Sequence, residues 1–269
     1  MPQNMWNLLV ERSGWFAGLA GEHLALSAIA IAVAIVVGGL AGLLISQATK
    51  AAKPTLAVVN FLYTIPSISM LGLLIPFSGV GNVTAVIALI IYALLPMVRS
   101  TYTGLTNIEP GIIEAARGMG STEGQIMRKI RIPLAMPVIM SGIRSMATMT
   151  IALTGIASFI GAGGLGVAIY RGITTNNMAM TMDGSLLVAI LALVVDFVLG
   201  VVERRAQMRS AKARCANRRA LIVVAAIVAA LVAIGLARSC APTRATIRVA
   251  TKPMTEQYIM GNMLKELVG

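Results

Sequence analysis

The sequence predicts an all-α integral membrane protein, and three observations carry that prediction. Residues of the AVILMFWYC set make up 57% of the 269-residue chain. Only 12% of the residues are charged, about half the share of about 25% in soluble domains. The apolar residues also form long runs, and about 20 such residues cross a bilayer as a helix. A water-soluble domain of this length could not cover its surface with so few charges.

Five charge-poor runs predict six membrane-spanning helices. The runs are 24–49, 54–98, 132–170, 184–202 and 220–237. The second run is long enough for two spans, with a break at Pro76, Gly79 and Gly81. Single charges, Arg144 and Asp196, interrupt the third and fourth runs. The prediction is a five-helix core at 24–203 and an additional C-terminal helix at 220–237.

Basic residues predict the direction of each span. Three connections, at 50–53, 99–131 and 204–219, contain 14 of the 22 Lys and Arg residues. The opposite side contains only Arg171 between the first and last spans. By the positive-inside rule, the three basic connections are cytoplasmic and both termini are external, in a multi-pass protein of the plasma (inner) membrane. Residues 1–23, with Trp6, Trp15 and Phe16, are predicted to form an external interfacial segment.

The longest cytoplasmic connection, extended to the first residues of the next span (99–133), contains the most specific pattern in the chain. It reads Glu114-Ala115-Ala116, then Gly120, Ile130, Ile132 and Pro133. This spacing resembles the E-A-A-x₃-G-x₉-I-x-L-P loop of ABC importer permeases, with Ile in place of Leu at position 132. Residues 114–116 can open a short helix, Gly120 can turn the chain, and Pro133 can begin the next membrane helix. The match at seven positions disfavours an ordinary basic loop.

Four further stretches narrow the resemblance. They are 63–67, 96–105, 113–120 and 159–166. Together they resemble the glycine betaine/carnitine/choline (osmoprotectant) permeases, over about residues 20–205. The resemblance implies a MetI-like permease fold that couples closure of partner ATPases to alternating access. It also marks candidate pathway or packing residues, which are Tyr63, Thr64, Pro66, Ser67, Gly161, Gly163, Gly164 and Gly166.

The same resemblance implies the partners of the chain. Two cytoplasmic ATP-binding subunits would dock on the 99–133 loop, a second permease copy would complete the pathway, and an external binding protein or domain would select the substrate. The sequence contains no G-x-x-x-x-G-K-[ST] pattern, so ATP and Mg²⁺ are expected in the partner ATPase and no cofactor in this chain. Membrane lipid is an expected contact and nucleic acid is not. A methionine or other amino-acid permease, and a non-transporting membrane anchor or regulator, remain alternatives.

Three residue patterns have both a functional and a structural interpretation. Residues 161–166 satisfy G-x-G-x-x-G, but without a βαβ unit they favour close backbone packing or a bent helix over nucleotide binding. Arg144 and Asp196 favour an intramembrane ion pair, with substrate contact and snorkelling as alternatives. The 17 methionines favour packing over metal binding, because Met is a common packing residue and no Cys or His accompanies the methionines at 146, 149, 178, 180 and 182.

The C-terminal quarter of the chain, residues 204–269, is predicted to have three parts. Residues 204–219 are a basic cytoplasmic linker and 220–237 the additional membrane helix. A lipoprotein signal ending at Cys240 is the alternative, although Arg238 fits such a site poorly. Residues 245–250 alternate like a β-strand and 256–268 have helical spacing. By family resemblance, 238–269 is then the external start of a truncated substrate-binding domain.

Overall fold

A computed structural model describes residues 2–210, and over that range the chain is helical, with no β-strand. The α-helices are α1 (Pro2–Glu11), α2 (Ser13–Gln47), α3 (Thr49–Thr64), α4 (Ser67–Ser78), α5 (Asn82–Thr106), α6 (Pro110–Gly118), α7 (Glu123–Ile126), α8 (Ile132–Thr154), α9 (Gly166–Thr174) and α10 (Met178–Ser210). A π-helical turn (Met127–Arg131) joins α7 to α8, and a 3₁₀ turn (Ile156–Ile160) follows α8. The predicted linker beyond residue 210, the helix at 220–237 and the segment 238–269 lie outside the described residues.

Four helical stretches are long and apolar enough to cross a membrane, which confirms the predicted all-helical membrane fold. They are α2, α5, the continuous stretch from α7 through α8, and α10. The pair α3 and α4, bent by 98°, makes a fifth if it counts as one span. The predicted break after this pair is present, because α4 ends at Ser78 and both Gly79 and Gly81 have positive φ.

The structure differs from the sequence prediction at two helix boundaries. Helix α2 begins at Ser13 rather than at residue 24, so much of the predicted interfacial segment continues the first span. The second span is interrupted at Ile65 and Pro66. Pro66 supplies no backbone N–H, and a residue before proline avoids the α region; Ile65 accordingly has an extended ψ of 128°.

Small residues bring α2 and α5 into close contact. Ala34, Gly38 and Gly42 recur every fourth residue along one face of α2, and all three are buried. A Cβ at Gly42 would lie 2.6 Å from Cβ of Thr101, and one at Gly38 would lie 2.9 Å from Cβ of Met97. Small residues spaced in this way allow membrane helices to pack backbone to backbone.

A second close crossing joins α5 to α8. A Cβ at Gly142 would lie 2.2 Å from Cβ of Ser100, and one at Gly104 would meet Ala135 at 3.2–3.3 Å. Helix α10 packs against α8 and α9. Helix α8 therefore contacts both α5 and α10, and it also carries the connection to α6.

Candidate functional site

Helix α6 contains the first part of the sequence pattern. It begins at Pro110, so Glu114–Ala116 lie in its middle rather than at its start as predicted. Proline suits the first turn of a helix because the N–H that it lacks would have no intrahelical partner. Ala116 is the buried residue of α6, whereas Glu114 and Ala115 are exposed. The two alanines of the pattern therefore occupy different faces of the helix.

Gly120 ends α6 in a fully bonded turn. Its φ is +81°, a left-handed conformation that glycine adopts at little cost. The Gly120 N–H donates to the Arg117 carbonyl at 2.9 Å, and the Ser121 N–H donates to the Ala116 carbonyl at 3.1 Å. This pair of bonds is the Schellman motif. It explains the pattern's spacing, because the glycine must follow the buried alanine by four residues.

The next helix starts two residues later in a capping box. The Gln125 N–H donates to Oγ1 of Thr122 at 3.4 Å, and the Thr122 N–H donates to Oε1 of Gln125 at 3.1 Å. Across the turn, Nε of Arg117 donates to Oε1 of Glu123 at 2.7 Å. That hydrogen bond raises the pKa of the Arg117 guanidinium. Three kinds of contact, a backbone turn, a cap and an ion pair, join α6 to α7.

The remaining pattern residues lie where α7 continues into α8. Ile130 is in the π-helical turn, and Ile132 and Pro133 are the first two residues of α8. The Ile132 N–H bonds back to the Met127 carbonyl, and this wider turn accommodates a proline at the next position. Residues 123–154 form one helical stretch, so the whole pattern builds an elbow between α6 and α8.

The elbow presents apolar surface. Ile112 is 41% exposed and Met119 is 80% exposed. They flank the exposed Glu114 and Ala115 on or beside a nine-residue helix. A short, exposed helix bearing apolar and charged side chains can seat in a cleft of another protein.

The four candidate residues between 63 and 67 meet at the break between α3 and α4. The Tyr63 hydroxyl donates to Sδ of Met149 at 3.3 Å, and its ring lies edge-on to Tyr92 at 5.9 Å. The Tyr92 hydroxyl donates to the Ile65 carbonyl, which satisfies an acceptor freed by the break. Thr64 bonds within its own helix, to Phe61, and Pro66 and Ser67 begin α4. The break therefore contacts both α5 and α8.

The glycine-rich segment packs closely against three other parts of the chain. Gly161 and Gly164 have φ of +75° and +98°. The Gly163 N–H donates to Oδ1 of Asn82 at 2.9 Å, and the Gly164 N–H donates to Oε2 of Glu22 at 3.2 Å. A Cβ at Gly166 would lie 2.0 Å from the Gly155 carbonyl oxygen. These contacts account for the glycines by backbone conformation and close packing, without a nucleotide.

Sequence reasoning missed the side chains that hold this segment. They are Glu22, His23 and Asn82. His23 is fully buried, and its Nε2 donates to the Ile151 carbonyl at 2.9 Å. A Cβ at Gly164 would lie 3.2 Å from the His23 ring. Ionisable residues at the edge of an apolar run are a usable signal, because such groups in membrane proteins face protein partners.

Arg144 and Asp196 lie together between α8 and α10. Nε and Nη2 of Arg144 donate to the two carboxylate oxygens of Asp196 at 2.6 and 2.5 Å. Nη1 of Arg144 also contacts Glu203 at 3.4 Å, a partner that sequence reasoning did not assign. A Cβ at Gly200 would lie 3.1 Å from Cζ of Arg144, so this glycine leaves room for the guanidinium. The arrangement links α8 to α10 by a bidentate ion pair.

Comparisons with known proteins agree with this geometry. The sequence profile described as "Binding-protein-dependent transport system inner membrane component" matches residues 24–208. The osmoprotectant import permease protein OsmW of Salmonella typhimurium is 42% identical, over 71% of this chain and 91% of that protein. The ergothioneine transport permease/ergothioneine binding protein EgtU of Helicobacter pylori is 37% identical, over 87% of this chain and 43% of that protein. An inward-facing structure of the MetNI methionine ABC transporter aligns with a TM-score of 0.67 and 26% identity, covering 73% of this chain and 98% of that one.

Proposed function

Because the chain belongs to the family of inner-membrane components of binding-protein-dependent transport systems, we propose that it is the permease subunit of an ABC importer for quaternary-ammonium osmoprotectants. Glycine betaine, choline and carnitine are the substrates of this class. The OsmW protein, an osmoprotectant import permease, supports the substrate class. The elbow between α6 and α8 supports the coupling role most directly.

The proposed mechanism starts at α6. Partner ATPase subunits bind ATP and Mg²⁺ and close, and their clefts carry α6 with them. The turn at Gly120 is held by two backbone hydrogen bonds, so it transmits that movement rigidly to α8. The ion pair between Arg144 and Asp196 passes it on to α10. In this mechanism, the chain supplies the coupling helix α6 and the wall of the pathway. ATP is hydrolysed in the partner subunits.

The proposed assembly contains two permease copies, two ATP-binding subunits and an external binding protein or domain, in contact with membrane lipid. The α6 elbow faces the cytoplasm, both termini are external, and the segment around Gly163 lies at the outer side. Residues 238–269 begin the external binding domain in this proposal. The alignment with EgtU supports that part, because EgtU is named as both a permease and a binding protein and the alignment spans 240 residues.

Two other functions make different predictions. A methionine-type permease is favoured by the likeness to the solved MetNI structure at 26% identity, and it would import methionine rather than quaternary amines. A membrane anchor or regulator that retained the elbow would import neither. Both alternatives can be separated from the proposal by one uptake experiment.

The experiment measures uptake of radiolabelled glycine betaine, choline and methionine in cells that lack their own importers for these solutes. The chain is expressed with its ATPase and an external binding protein. We expect ATP-dependent uptake of the quaternary amines, competed by unlabelled betaine and absent without the ATPase. Uptake of methionine alone would establish the first alternative, and no uptake with normal assembly would establish the second.

A further inference from the structure

Asp183, near the start of α10, carries a buried carboxyl group without a hydrogen-bond partner. The residue is 0% exposed. Within the part of the chain that the structure describes, neither carboxyl oxygen has a hydrogen-bond partner and no ion pair includes this residue. The large majority of buried polar side-chain atoms in proteins have a partner. An ionisable group in a membrane protein that lacks one marks a candidate functional site.

The start of α10 is closely packed around this carboxyl group. At the next position, a Cβ on Gly184 would lie 2.9 Å from Cγ1 of Ile169 and 3.1 Å from Cβ of Ala168, both on α9. One turn after Asp183, Leu187 packs against the apolar cluster that contains Ala168. The carboxyl group is therefore enclosed in a tight, mainly apolar contact, and bulk water does not reach it.

The segments that pack against α10 carry several titratable side chains, and none of them pairs with Asp183. They are Glu11, Arg12, Glu22, His23, Arg144, Tyr170 and Arg171. Three of these, Glu22, His23 and Arg144, make their hydrogen bonds elsewhere, and the other four are exposed. On α10 itself the next charged residue is Asp196, about 20 Å further along at about 1.5 Å per residue. The described part of the chain thus offers no positive charge that would hold this carboxyl group ionised.

Three forms of the Asp183 carboxyl group can be compared. An ionised carboxylate enclosed without water or a partner is strongly disfavoured. A bound metal ion would need several ligands, and no group of three or more His, Cys, Asp or Glu side chains in the described residues could supply them. A proton needs only the carboxyl group itself, and it removes the charge. The geometry therefore favours a proton as the ligand.

We infer that Asp183 is a proton-binding site at the start of α10 and that the bound proton keeps this end of the helix closely packed. A locally opened form, in which water reaches the carboxyl group, releases the proton more readily than the packed form. The packed form therefore binds more protons, so its stability falls as the pH rises. Release of one proton makes the opening equilibrium more favourable by up to about tenfold per pH unit. In the proposed orientation the pH that matters is the external one, whereas the binding of the proton does not depend on the transport function.

The first test uses dicyclohexylcarbodiimide, an apolar reagent, on the full chain in lipid nanodiscs. The O–H of a protonated carboxyl group adds across one C=N bond of the reagent, and the acyl group then migrates to nitrogen, so the product is an N-acylurea that retains every atom of both reactants. Peptide mass spectrometry should find one reagent on Asp183, at a rate that falls as the pH rises, and none on the exposed Glu11. A water-soluble carbodiimide with an added amine should modify Glu11 and leave Asp183 intact. Asp183 that does not react with the apolar reagent, or that reacts with the soluble one as fast as Glu11 does, would overturn the inference.

The second test measures local opening by amide hydrogen exchange and mass spectrometry in the same nanodiscs. Asp183→Asn keeps a polar group of nearly the same shape but has no proton to release. Intrinsic exchange depends on pH in the same way in both chains, so the ratio of native to variant rates isolates the effect of Asp183. Over residues 166–187 this ratio should rise by up to about tenfold per pH unit. Over the elbow at 110–126 it should not change with pH.

The matched control is Glu11→Gln, which neutralises an exposed carboxylate on α1, another helix that packs against α10. It should leave the pH dependence of exchange at 166–187 as it is in the native chain. A ratio of native to Asp183→Asn rates that does not change with pH would refute the link between the proton and the packing. If Asp183→Asn prevents assembly, the carbodiimide reaction of the native chain still decides whether Asp183 binds the proton.

Discussion

The guanidinium of Arg117 and the carboxylate of Glu123 lie on opposite sides of the Gly120 turn and meet at 2.7 Å between Nε and Oε1. Arg117 belongs to the last turn of α6, and Glu123 is the first residue of α7. The pair closes the elbow that joins the exposed helix to the membrane-spanning stretch. The angle of the elbow therefore depends on side-chain charge as well as on backbone conformation.

Reversal of these charges should test that dependence. Arg117→Glu and Glu123→Arg each place like charges across the turn, so we expect each to lower betaine uptake per ATP hydrolysed. The double variant restores opposite charges and should recover most of the lost coupling. Both side chains are more than half exposed, at 54% and 67%, so salt should weaken the single-variant effect. A double variant as impaired as the worse single one would show that the pair has no positioning role.

Gly120→Val should damage coupling through the backbone. A β-branched residue at a φ of +81° is strained by about 1–3 kcal/mol. A Cβ there would meet nothing within 4 Å, so the cost is conformational and membrane insertion should persist. We expect uptake and transport-linked ATPase activity to fall, and Glu114→Lys on the exposed face of α6 to have the same effect. The matched control is Gly124→Val, which also has open space but no positive φ; normal uptake in Gly120→Val would contradict the assignment of this loop.

The ion pair between Arg144 and Asp196 predicts non-additive effects. Replacing either residue by Ala leaves the other charge without its main partner inside the membrane, whereas the double replacement removes both. Each single variant should therefore reduce the yield of assembled permease more than the double variant does. Yield after detergent extraction, read by size-exclusion chromatography, measures this. Effects that simply add would show that the two residues are not energetic partners.

The glycine-rich segment should tolerate no side chain at position 166. A methyl group there would lie 2.0 Å from a backbone oxygen of Gly155, and the backbone cannot yield as a flexible side chain can. Gly166→Ala should destabilise the permease by about 1–3 kcal/mol through overpacking, seen as a lower thermal-aggregation midpoint in detergent. Gly72→Ala, where a Cβ would meet nothing within 4 Å, is the control. Equal midpoints for the two variants would refute the packing explanation.

The predicted orientation can be tested with two cysteines in a background without Cys215 and Cys240. A cysteine at Thr175 should react with a membrane-impermeant maleimide in intact cells, because the segment 154–183 is predicted to be largely external. A cysteine at Ser121 should react only after the membrane is opened. External labelling at Ser121 would reverse the topology and remove the basis for ATPase docking at the elbow.

The sequence alone determined the features that depend on local composition. Apolar runs located the membrane helices, and basic residues predicted their direction. The spacing from Glu114 to Pro133 identified the 99–133 connection as similar to the coupling loop of ABC importer permeases. The glycine at 120 was predicted to turn the chain, and it does so with a positive φ. Such features are readable because a bilayer imposes the same length and polarity on every span.

Only the tertiary structure decided which distant residues meet. His23 bonds to Ile151, 128 residues away, and Glu22 and Asn82 hold Gly164 and Gly163. No sequence window contains both members of such a contact. These partners explain why α2 begins at Ser13 rather than after the ionisable residues: Glu22 and His23 bond inside the protein, so they need not lie in water. Glu203 likewise contacts Arg144, 59 residues away in the sequence. Polar groups in a membrane need polar partners, and the fold decides which residues are near enough to be those partners.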